Sequence, residues 1–324
     1  MKENELGVAD RYDLTIHNTR RVRDAILCET DKGLFVLKKL AFSEKKIPDL
    51  CRLYDYMAER GYTDLDCIVP NKDAEYVSVG EDEKKYYLKK WFYGRESDSK
   101  KENDILDGVR NLACLHHAMK HMETEQSYKR ENLESELCRH NRELKKVRSF
   151  MRNKTTKGAF EIQFLENFET MYEWAEYAAE QSKGLRLPEV EDCVVHGDYN
   201  YHNLIVLPNR IATTGFEHFY TGVQLDDMYY YLRKIMEKNQ WNIRLGYRML
   251  DQYHRILPIP EEGLEYLATR IAYPEKYWKL ANTYNRTNKS WISAKTVEKL
   301  NLAVVQTKEK KEFLRQLFSF TISH

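Results

Sequence analysis

Long apolar runs are missing from the 324-residue sequence, and no stretch approaches the roughly 18 residues that a membrane helix needs. We therefore expect no membrane span. The six cysteines form no C-x-x-C pair and neighbour no histidine at zinc-site spacing, which favours reduced thiols over disulfides or a zinc site. The formal net charge is +1, so no nucleic-acid partner is indicated. The first residues, MKENELGVADRYD, lack an apolar segment, and no signal peptide is expected.

Glycine is also missing from one informative place, the segment YDLTIHNTRRVRDAILCET. Loops that cover phosphate groups normally use glycine, because the backbone must approach the ligand closely. This segment carries Arg20, Arg21 and Arg23 instead. They either bind phosphate through their side chains or form a charged hairpin tip, and the second interpretation is favoured.

Hydrophobic periodicity divides the chain into two parts. Residues 10–93 contain short β-patterns and one helical pattern at 44–60, which Gly61 ends. Beyond residue 100 the patterns are mainly helical, including a basic segment at 128–157 and one long aromatic-rich helix at 160–181. The sequence thus predicts an α+β chain of the bilobal, protein-kinase-like type. A small antiparallel-sheet lobe (residues 1–93) precedes a large, mainly helical lobe (residues 94–324).

The stretch VVHGDYNYHNLIV carries the first candidate site. Asp198 and Asn203 follow His196 with the spacing H-G-D-x-x-x-x-N, between two apolar segments that read as strands. Phosphoryl transfer needs a carboxylate to accept the proton of the acceptor hydroxyl and an oxygen ligand for a magnesium ion. Asp198 and Asn203 fit these roles. His196 belongs to the same catalytic loop, and we expect it to pack beneath the loop. The alternative is an Asx-rich turn of a β-hairpin.

The tripeptide Gly215-Phe216-Glu217 stands 17 residues after Asp198, where kinases carry a metal-binding D-F-G or D-F-E strand turn. Glycine has no side chain and cannot ligate, so one carboxylate ligand is missing. Glu217 is a second candidate metal ligand. On an extended backbone, however, its side chain is expected on the opposite face.

The strand LFVLKKL offers a phosphate-binding lysine at its end. Lys38 fits the position of the lysine in the kinase pattern V-A-I-K, and Lys39 falls on the other face. Such a lysine pairs with an acidic residue of the following helix. Glu44 and Asp49 are both candidates, and the sequence does not decide between them.

With these motifs, the chain resembles the aminoglycoside phosphotransferase/choline kinase-like superfamily. Within that superfamily it resembles the CotS family of spore coat proteins, on the stretches YYLKKWFYGRES, LDDMYYYLRKIMEKNQWN and YPEKYWKLANTYN. The resemblance implies an ATP site between the lobes, with the hinge from Trp91 through Tyr93 to Gly94. It also implies that Asp198 is the catalytic Asp, Asn203 a metal ligand and Lys38 the phosphate lysine.

Three functions follow from these expectations. The favoured one is a spore coat protein on a degenerate kinase-like fold, in which ATP and magnesium bind weakly or not at all. The second is an active ATP-dependent phosphotransferase that tolerates the missing Asp, and the third is a nucleotide-sensing module. The resemblance implies other coat proteins as partners, and synthesis in the mother-cell cytoplasm before the protein joins the spore coat.

Overall fold

The computed structural model describes residues 7–124, 128–187, 192–286 and 292–319. The chain divides into two compact units, and each unit is formed by two separate stretches of sequence. The first unit comprises Met1–Tyr128 and Asp192–Asp227, and the second comprises Lys129–Glu191 and Met228–His324. The lobe boundary between residues 93 and 94 stays a prediction.

The first unit contains an antiparallel sheet with the strand order β1-β2-β3-β6-β4, and β5 pairs with β6. These strands are β1 Ile16–Val22, β2 Ala25–Thr30, β3 Gly33–Lys39, β4 Ile68–Val69, β5 Ser78–Val79 and β6 Lys85–Lys90. Successive side chains of β3 point to opposite faces of the sheet. Phe35 and Leu37 join one buried cluster, whereas Leu34 and Val36 join another together with Leu27. Lys38 therefore follows on the face of Leu34 and Val36.

One helix follows β3, as the sequence predicts. A short 3-10 turn, Glu44–Lys46, leads into helix α1, Ile47–Glu59, whose apolar face is fully buried. Gly61 lies just beyond the helix with φ +85°, a conformation that glycine adopts without steric cost. The second helix of this unit, α2, spans Glu102–Met119.

Two small sheets hold the H-G-D-x-x-x-x-N loop. Their strands are β7 Arg95–Glu96, β8 Cys193–Val195, β9 Leu204–Leu207, β10 Arg210–Thr213 and β11 Tyr220–Gly222. The strand before the loop, β8, pairs with β11, whereas the strand after it, β9, pairs with β7 and β10. The two flanking strands belong to different sheets. The alternative interpretation of the motif as the turn of a β-hairpin is therefore wrong.

Helices form the described part of the second unit. They are α3 Leu133–Arg152, α4 Ala159–Glu166, α5 Phe168–Gln181, α6 Leu225–Lys238, α7 Ile243–His254, α8 Glu261–Ala272, α9 Glu275–Arg286, α10 Ala294–Val305 and α11 Thr307–Phe318. The first three residues of α6 belong to the first unit. The prediction of one long helix at 160–181 is wrong, because the chain breaks at Asn167, whose φ of −101° and ψ of 2° are not helical. The α+β class and the sheet-then-helix order are confirmed.

Candidate active site

The loop from His196 to Asn203 has a fixed internal geometry. The Asp198 carboxylate accepts hydrogen bonds from the side-chain amides of Asn200, at 3.0 Å, and of Asn203, at 2.8 Å. Gly197 has φ +83°, and a Cβ there would lie 2.2 Å from the carbonyl oxygen of His218. Glycine is thus required at this position. The two residues that the sequence assigns to proton acceptance and metal binding lie side by side.

His196 is fully buried, and both ring nitrogens contact the backbone. Nε2 lies 3.0 Å from the carbonyl oxygen of Thr214, and the Asp198 backbone N–H donates to Nδ1 at 3.2 Å. These contacts assign the proton to Nε2. Burial lowers the pKa of His196 and keeps the ring neutral. His196 therefore positions the loop and is not an exposed base.

Asp227 at the start of α6 holds the same loop from the other side. Its carboxylate accepts the backbone N–H groups of His196, at 2.7 Å, and of Gly197, at 2.9 Å. His116 of α2 lies 3.2 Å from the same carboxylate. Sequence reasoning missed the role of Asp227. An Asp in the first helical turn indicates a helix N-terminus, and nothing local shows that it also binds a loop 30 residues earlier.

Gly215 lies directly against Asn203. Its φ of +91° and ψ of 24° are left-handed, and a Cβ at this position would lie 2.8 Å from Asn203 Nδ2. The backbone N–H of Gly215 donates to Asp66 at 2.8 Å. The place where a kinase strand turn supplies a metal-binding carboxylate is thus filled by backbone and by the neighbouring amide.

Glu217 is buried in a cluster of positive charge. Its Oε1 atom lies 3.0 Å from Lys38 Nζ and 2.9 Å from Lys89 Nζ, and the hydroxyl of Tyr87 donates to it at 2.7 Å. Burial raises the pKa of Glu217, but the two lysines and Tyr87 outweigh it and hold the pKa well below its usual range. The carboxylate is therefore ionised and largely neutralised by its neighbours.

The extended backbone that we predicted at Glu217 is wrong. The expectation assumed an extended backbone, whereas Phe216–His218 form a 3-10 turn, so side chains do not alternate there. The second carboxylate oxygen, Oε2, is buried and has no hydrogen-bond partner among the described residues. The role of Glu217 as a metal ligand stays a prediction.

The acidic partner of Lys38 does not lie on helix α1, which follows its strand. Glu44 pairs with Lys85, and Asp49 pairs with Arg52 and accepts the hydroxyl of Tyr128 at 2.7 Å. Both candidates from the sequence are therefore wrong. Glu217 is the carboxylate that Lys38 binds, 179 residues further along the chain.

A second lysine extends the cluster inwards. Lys89 is 1% exposed and forms ion pairs with Asp66 and Glu217. Burial lowers the pKa of Lys89, but the two carboxylates outweigh it and raise the pKa above its usual value. Lys38 and Lys89 with Asp66 and Glu217 form a cluster of two positive and two negative charges, and we call it the buried charge cluster. Its members Asp66 and Lys89 were not predicted, because strand alternation alone does not reveal a buried lysine.

The hinge residues lie between β6 and β7. Trp91 is half-buried against the Leu27, Leu34 and Val36 cluster, and its backbone N–H donates to the Leu34 carbonyl at 2.8 Å. Tyr93 is 67% exposed. A Cβ on Gly94 would lie 2.6 Å from the carbonyl oxygen of Val206 in β9. The structure thus ties the end of the sheet to the strand after the loop, and nucleotide contact by Trp91 and Tyr93 stays a prediction.

The β1–β2 hairpin reaches towards the loop. Arg23 at its tip donates to both carboxylate oxygens of Glu96, at 2.7 and 2.9 Å, and lies 3.0 Å from His202 Nδ1. His202 Nδ1 in turn lies 2.8 Å from Glu96. Arg23 therefore connects the hairpin to β7 and to the 3-10 turn that contains His202.

The donor set does not fit a kinase-type magnesium site. Within the ranges that the structure describes, no group of three or more His, Cys, Asp or Glu side chains could hold a metal ion. Asn203 and Asp198 are adjacent, but Gly215 offers no oxygen from its side chain, and Glu217 is bound by two lysines. Among the described helices, none is long and apolar enough to cross a membrane.

A sheet lobe, helices and an H-G-D-x-x-x-x-N loop define the kinase-like fold of the aminoglycoside phosphotransferases and related small-molecule kinases. The family model described as "Spore coat putative kinase YutH" matches residues 5–317. The chain belongs to this family of spore coat kinases, and the predicted resemblance is confirmed. No curated protein sequence matches the chain.

Solved structures show the same fold. An aminoglycoside phosphotransferase from Alicyclobacillus acidocaldarius is 17% identical, with a TM-score of 0.84 over 97% of this chain and 95% of that one. AMP-bound spectinomycin phosphotransferase APH(9)-Ia is 11% identical, with a TM-score of 0.70 over 97% of each chain. A microcompartment-associated aminopropanol kinase is 15% identical, with a TM-score of 0.62 over 97% of this chain and 96% of that one.

Proposed function

We propose that this member of the spore coat kinase family is a coat protein whose kinase-like site transfers phosphate weakly or not at all. The observation that carries the proposal is Gly215. Its position lacks a carboxylate, and its left-handed backbone against Asn203 leaves no room for a side chain without a shift. A magnesium ion that bridges the phosphates would lose one ligand and one negative charge.

Glu217 does not replace the missing carboxylate in this arrangement. Its Oε1 atom already binds Lys38, Lys89 and Tyr87. A metal ion at Glu217 would have to compete with two ammonium groups for this carboxylate. Weak or absent binding of magnesium–ATP follows from this competition.

The hairpin supports the same conclusion. It has no glycine to approach a phosphate, and its Arg23 is bound to Glu96 and His202.

Membership of the spore coat family supports the rest of the proposal. Other coat proteins are the partners of this chain, which is made in the mother-cell cytoplasm and assembled into the coat.

One observation favours a second function, an active phosphotransferase. The Asp198 loop is intact, and Asp227 and His196 hold it rigidly. In this alternative, Asp198 accepts the proton of the acceptor hydroxyl, and Asn203 binds the metal.

Calorimetric titration with ATP, with and without magnesium, tests the proposal together with a phosphate-release assay. We expect no magnesium-dependent binding of ATP by the natural protein in calorimetry, and no turnover above background in the release assay. Asp198→Asn should then behave like the natural protein, and exposed Asp73→Asn is the matched control.

Two outcomes would favour the active enzyme instead. One is a large magnesium-dependent stabilisation by ATP. The other is turnover that falls about 100-fold or more in Asp198→Asn and stays unchanged in Asp73→Asn. Turnover that Asp198→Asn leaves unchanged would exclude the role of Asp198 altogether.

Gly215→Asp provides the complementary test. Its carboxylate would sit beside Asn203, whose amide must move because Cβ alone approaches it to 2.8 Å. We expect a lower Tm without ligand and a new magnesium-dependent stabilisation by ATP. Gly215→Ala imposes the same backbone strain without the carboxylate, and it should lower the Tm without any gain in binding.

A further inference from the structure

Two sequence stretches that single out the spore coat family remain unexplained by the kinase-like site. They are LRKIMEKNQW, residues 232–241, and PEKYWK, residues 274–279. Both line one cavity of about 40 Å³ in the second unit, and helix α11 contributes Lys310 to the same cavity. A water needs roughly 10–15 Å³ of such space, so the cavity holds a few waters or one small polyatomic ion.

Arg233 of the first stretch is the most unusual group in this cavity. It is 3% exposed, and its Nη1 atom pairs with Glu237. Its other two nitrogens, Nε and Nη2, are buried without a hydrogen-bond partner among the described residues. Buried guanidinium N–H groups are normally bonded, and a planar pair of them matches an oxyanion.

Two lysines line the same cavity. Lys276 comes from the second stretch, and Lys310 donates to the carbonyl oxygens of Ala272, at 3.2 Å, and Tyr273, at 2.9 Å. Burial lowers the pKa of Lys276 and lowers that of Lys310 to about 7. Among the neighbouring charges, Glu237 raises both pKa values, whereas Arg233 lowers both. These groups therefore repel one another in a poorly solvated space, and an anion would relieve that repulsion.

The carboxylates at the cavity do not use the remaining donors. Glu237 binds Arg233 through Nη1, and Glu275 binds Lys279 of its own helix at 2.9 Å. Two nitrogens of Arg233, Nε and Nη2, remain beside two lysines and the indole rings of Trp174 and Trp241. Arg233 and the two lysines thus face two carboxylates that already have partners.

We propose that this cavity binds a phosphate-sized oxyanion, held by the free edge of the Arg233 guanidinium and by Lys276 and Lys310. The site is built by α6, α9 and α11 of the second unit. It includes none of Lys38, Asp198 and Asn203, so it does not depend on phosphotransfer. Its ligand is a small free oxyanion, because the cavity is too small for a nucleotide or a folded partner.

Titration of the whole chain with inorganic phosphate tests this site, with chloride at matched ionic strength as the reference. Phosphate should raise the Tm and bind measurably in calorimetry. Arg233→Lys and Lys310→Gln should each raise the dissociation constant for phosphate at least about tenfold, because a charge-assisted hydrogen bond is lost. Lys308→Gln removes the same charge from an exposed position of α11 and should leave binding unchanged.

Lys38→Met separates this site from the kinase-like site and should not affect phosphate binding. Glu237→Gln removes a competing carboxylate and should tighten phosphate binding. Because misfolding cannot tighten binding, this variant supports the site even if the Arg233 variant fails to fold. No effect of phosphate beyond ionic strength would overturn the proposal. So would binding that is lost in Lys38→Met but kept in Lys310→Gln, because the anion would then occupy the kinase-like site.

Discussion

At the scale of single residues, Glu217 has the role that the sequence predicted for an acidic residue of the helix after β3. It is the acidic partner of Lys38, and it also neutralises the buried Lys89. Because Lys89 is 1% exposed, its charge is tolerated only with carboxylates in contact. Glu217 therefore matters for folding whether or not the site binds a nucleotide.

Glu217→Gln should destabilise the protein. Removing one partner of a buried pair leaves the other charge uncompensated, and we expect a loss of about 3 kcal/mol in the free energy of unfolding. Urea denaturation measures it. Glu44→Gln breaks the exposed pair with Lys85 and should cost less than about 1 kcal/mol. Equal losses in the two variants would contradict the structural role of Glu217.

Gly215→Ala tests the backbone of the strand turn. A φ of +91° is unfavourable for any residue with a side chain, and Cβ would press on Asn203. We expect a loss of about 1–3 kcal/mol in unfolding free energy. Gly184→Ala has a similar φ of +79° but no neighbour within 4 Å. It should cost less, and a larger loss there would show that contact with Asn203 is unimportant.

At the scale of elements, the β1–β2 hairpin replaces a glycine-rich loop with a tip tied down by Arg23. The pair with Glu96 is 53% and 43% exposed, so solvent and salt screen it. One nitrogen of Arg23, Nη2, contacts both oxygens of Glu96, so the pair holds the tip weakly. We therefore expect the hairpin tip to open more easily than the central strands of the sheet.

Arg23→Gln should loosen this hairpin without unfolding the sheet. An exposed ion pair contributes about 0.2–1 kcal/mol, so hydrogen exchange of the hairpin amides should accelerate by up to about fivefold. Amides of β3 and β6 should be unaffected. Arg20→Gln, at an exposed position of β1, is the control. Equal acceleration in both variants would mean that the contact with Glu96 does not hold the tip.

Helices α4 and α5 show another limit of sequence patterns. The aromatic residues of 160–181 continue across the break, so their spacing predicts a single helix. Asn167 ends the first helix, where its side-chain amide donates to the Gln163 carbonyl at 2.8 Å. Asparagine competes for backbone hydrogen bonds in this way, and the chain can turn there.

At the scale of the whole molecule, we expect the buried His140 to lower the stability in acid. His140 of α3 is 2% exposed and stacks on Trp278 with ring centroids 3.4 Å apart. Burial lowers the pKa of His140 to about 4, from 6.5. In the unfolded chain the ring takes up a proton at higher pH, so protonation favours unfolding. Stability should therefore fall as the pH drops from about 6.5 towards 4.

His140→Phe should reduce this sensitivity, because it keeps the ring stack and removes the titrating group. Between pH 7 and pH 5, His140 accounts for about 2 kcal/mol of lost stability. The difference in unfolding free energy between the two pH values should shrink by that amount in the variant. His17→Phe, at an exposed position, should leave it unchanged. An unchanged difference in His140→Phe would exclude this origin of acid sensitivity.

The packing of the whole molecule explains why the sequence contains many tyrosines. Several are fully buried, and their hydroxyl groups bind partners far along the chain. Tyr277 donates to the Phe164 carbonyl at 2.6 Å and stacks on its ring at 4.5 Å, and Tyr273 donates to Asn141 at 3.1 Å. Such residues supply apolar surface and one hydrogen bond at the same time.

The sequence by itself determined the sheet-then-helix order, the H-G-D-x-x-x-x-N loop and the absence of a carboxylate at Gly215, because these are local patterns of spacing and residue type. Only the tertiary structure decided which carboxylate Lys38 binds, that Asp227 holds the loop, and that Lys89 is buried with Asp66. Glu217 lies 179 residues from Lys38 and 130 from Tyr87, and His116 lies 111 from Asp227. No local periodicity encodes such contacts. They form because a buried charge must find an opposite charge wherever the packed chain brings one within reach.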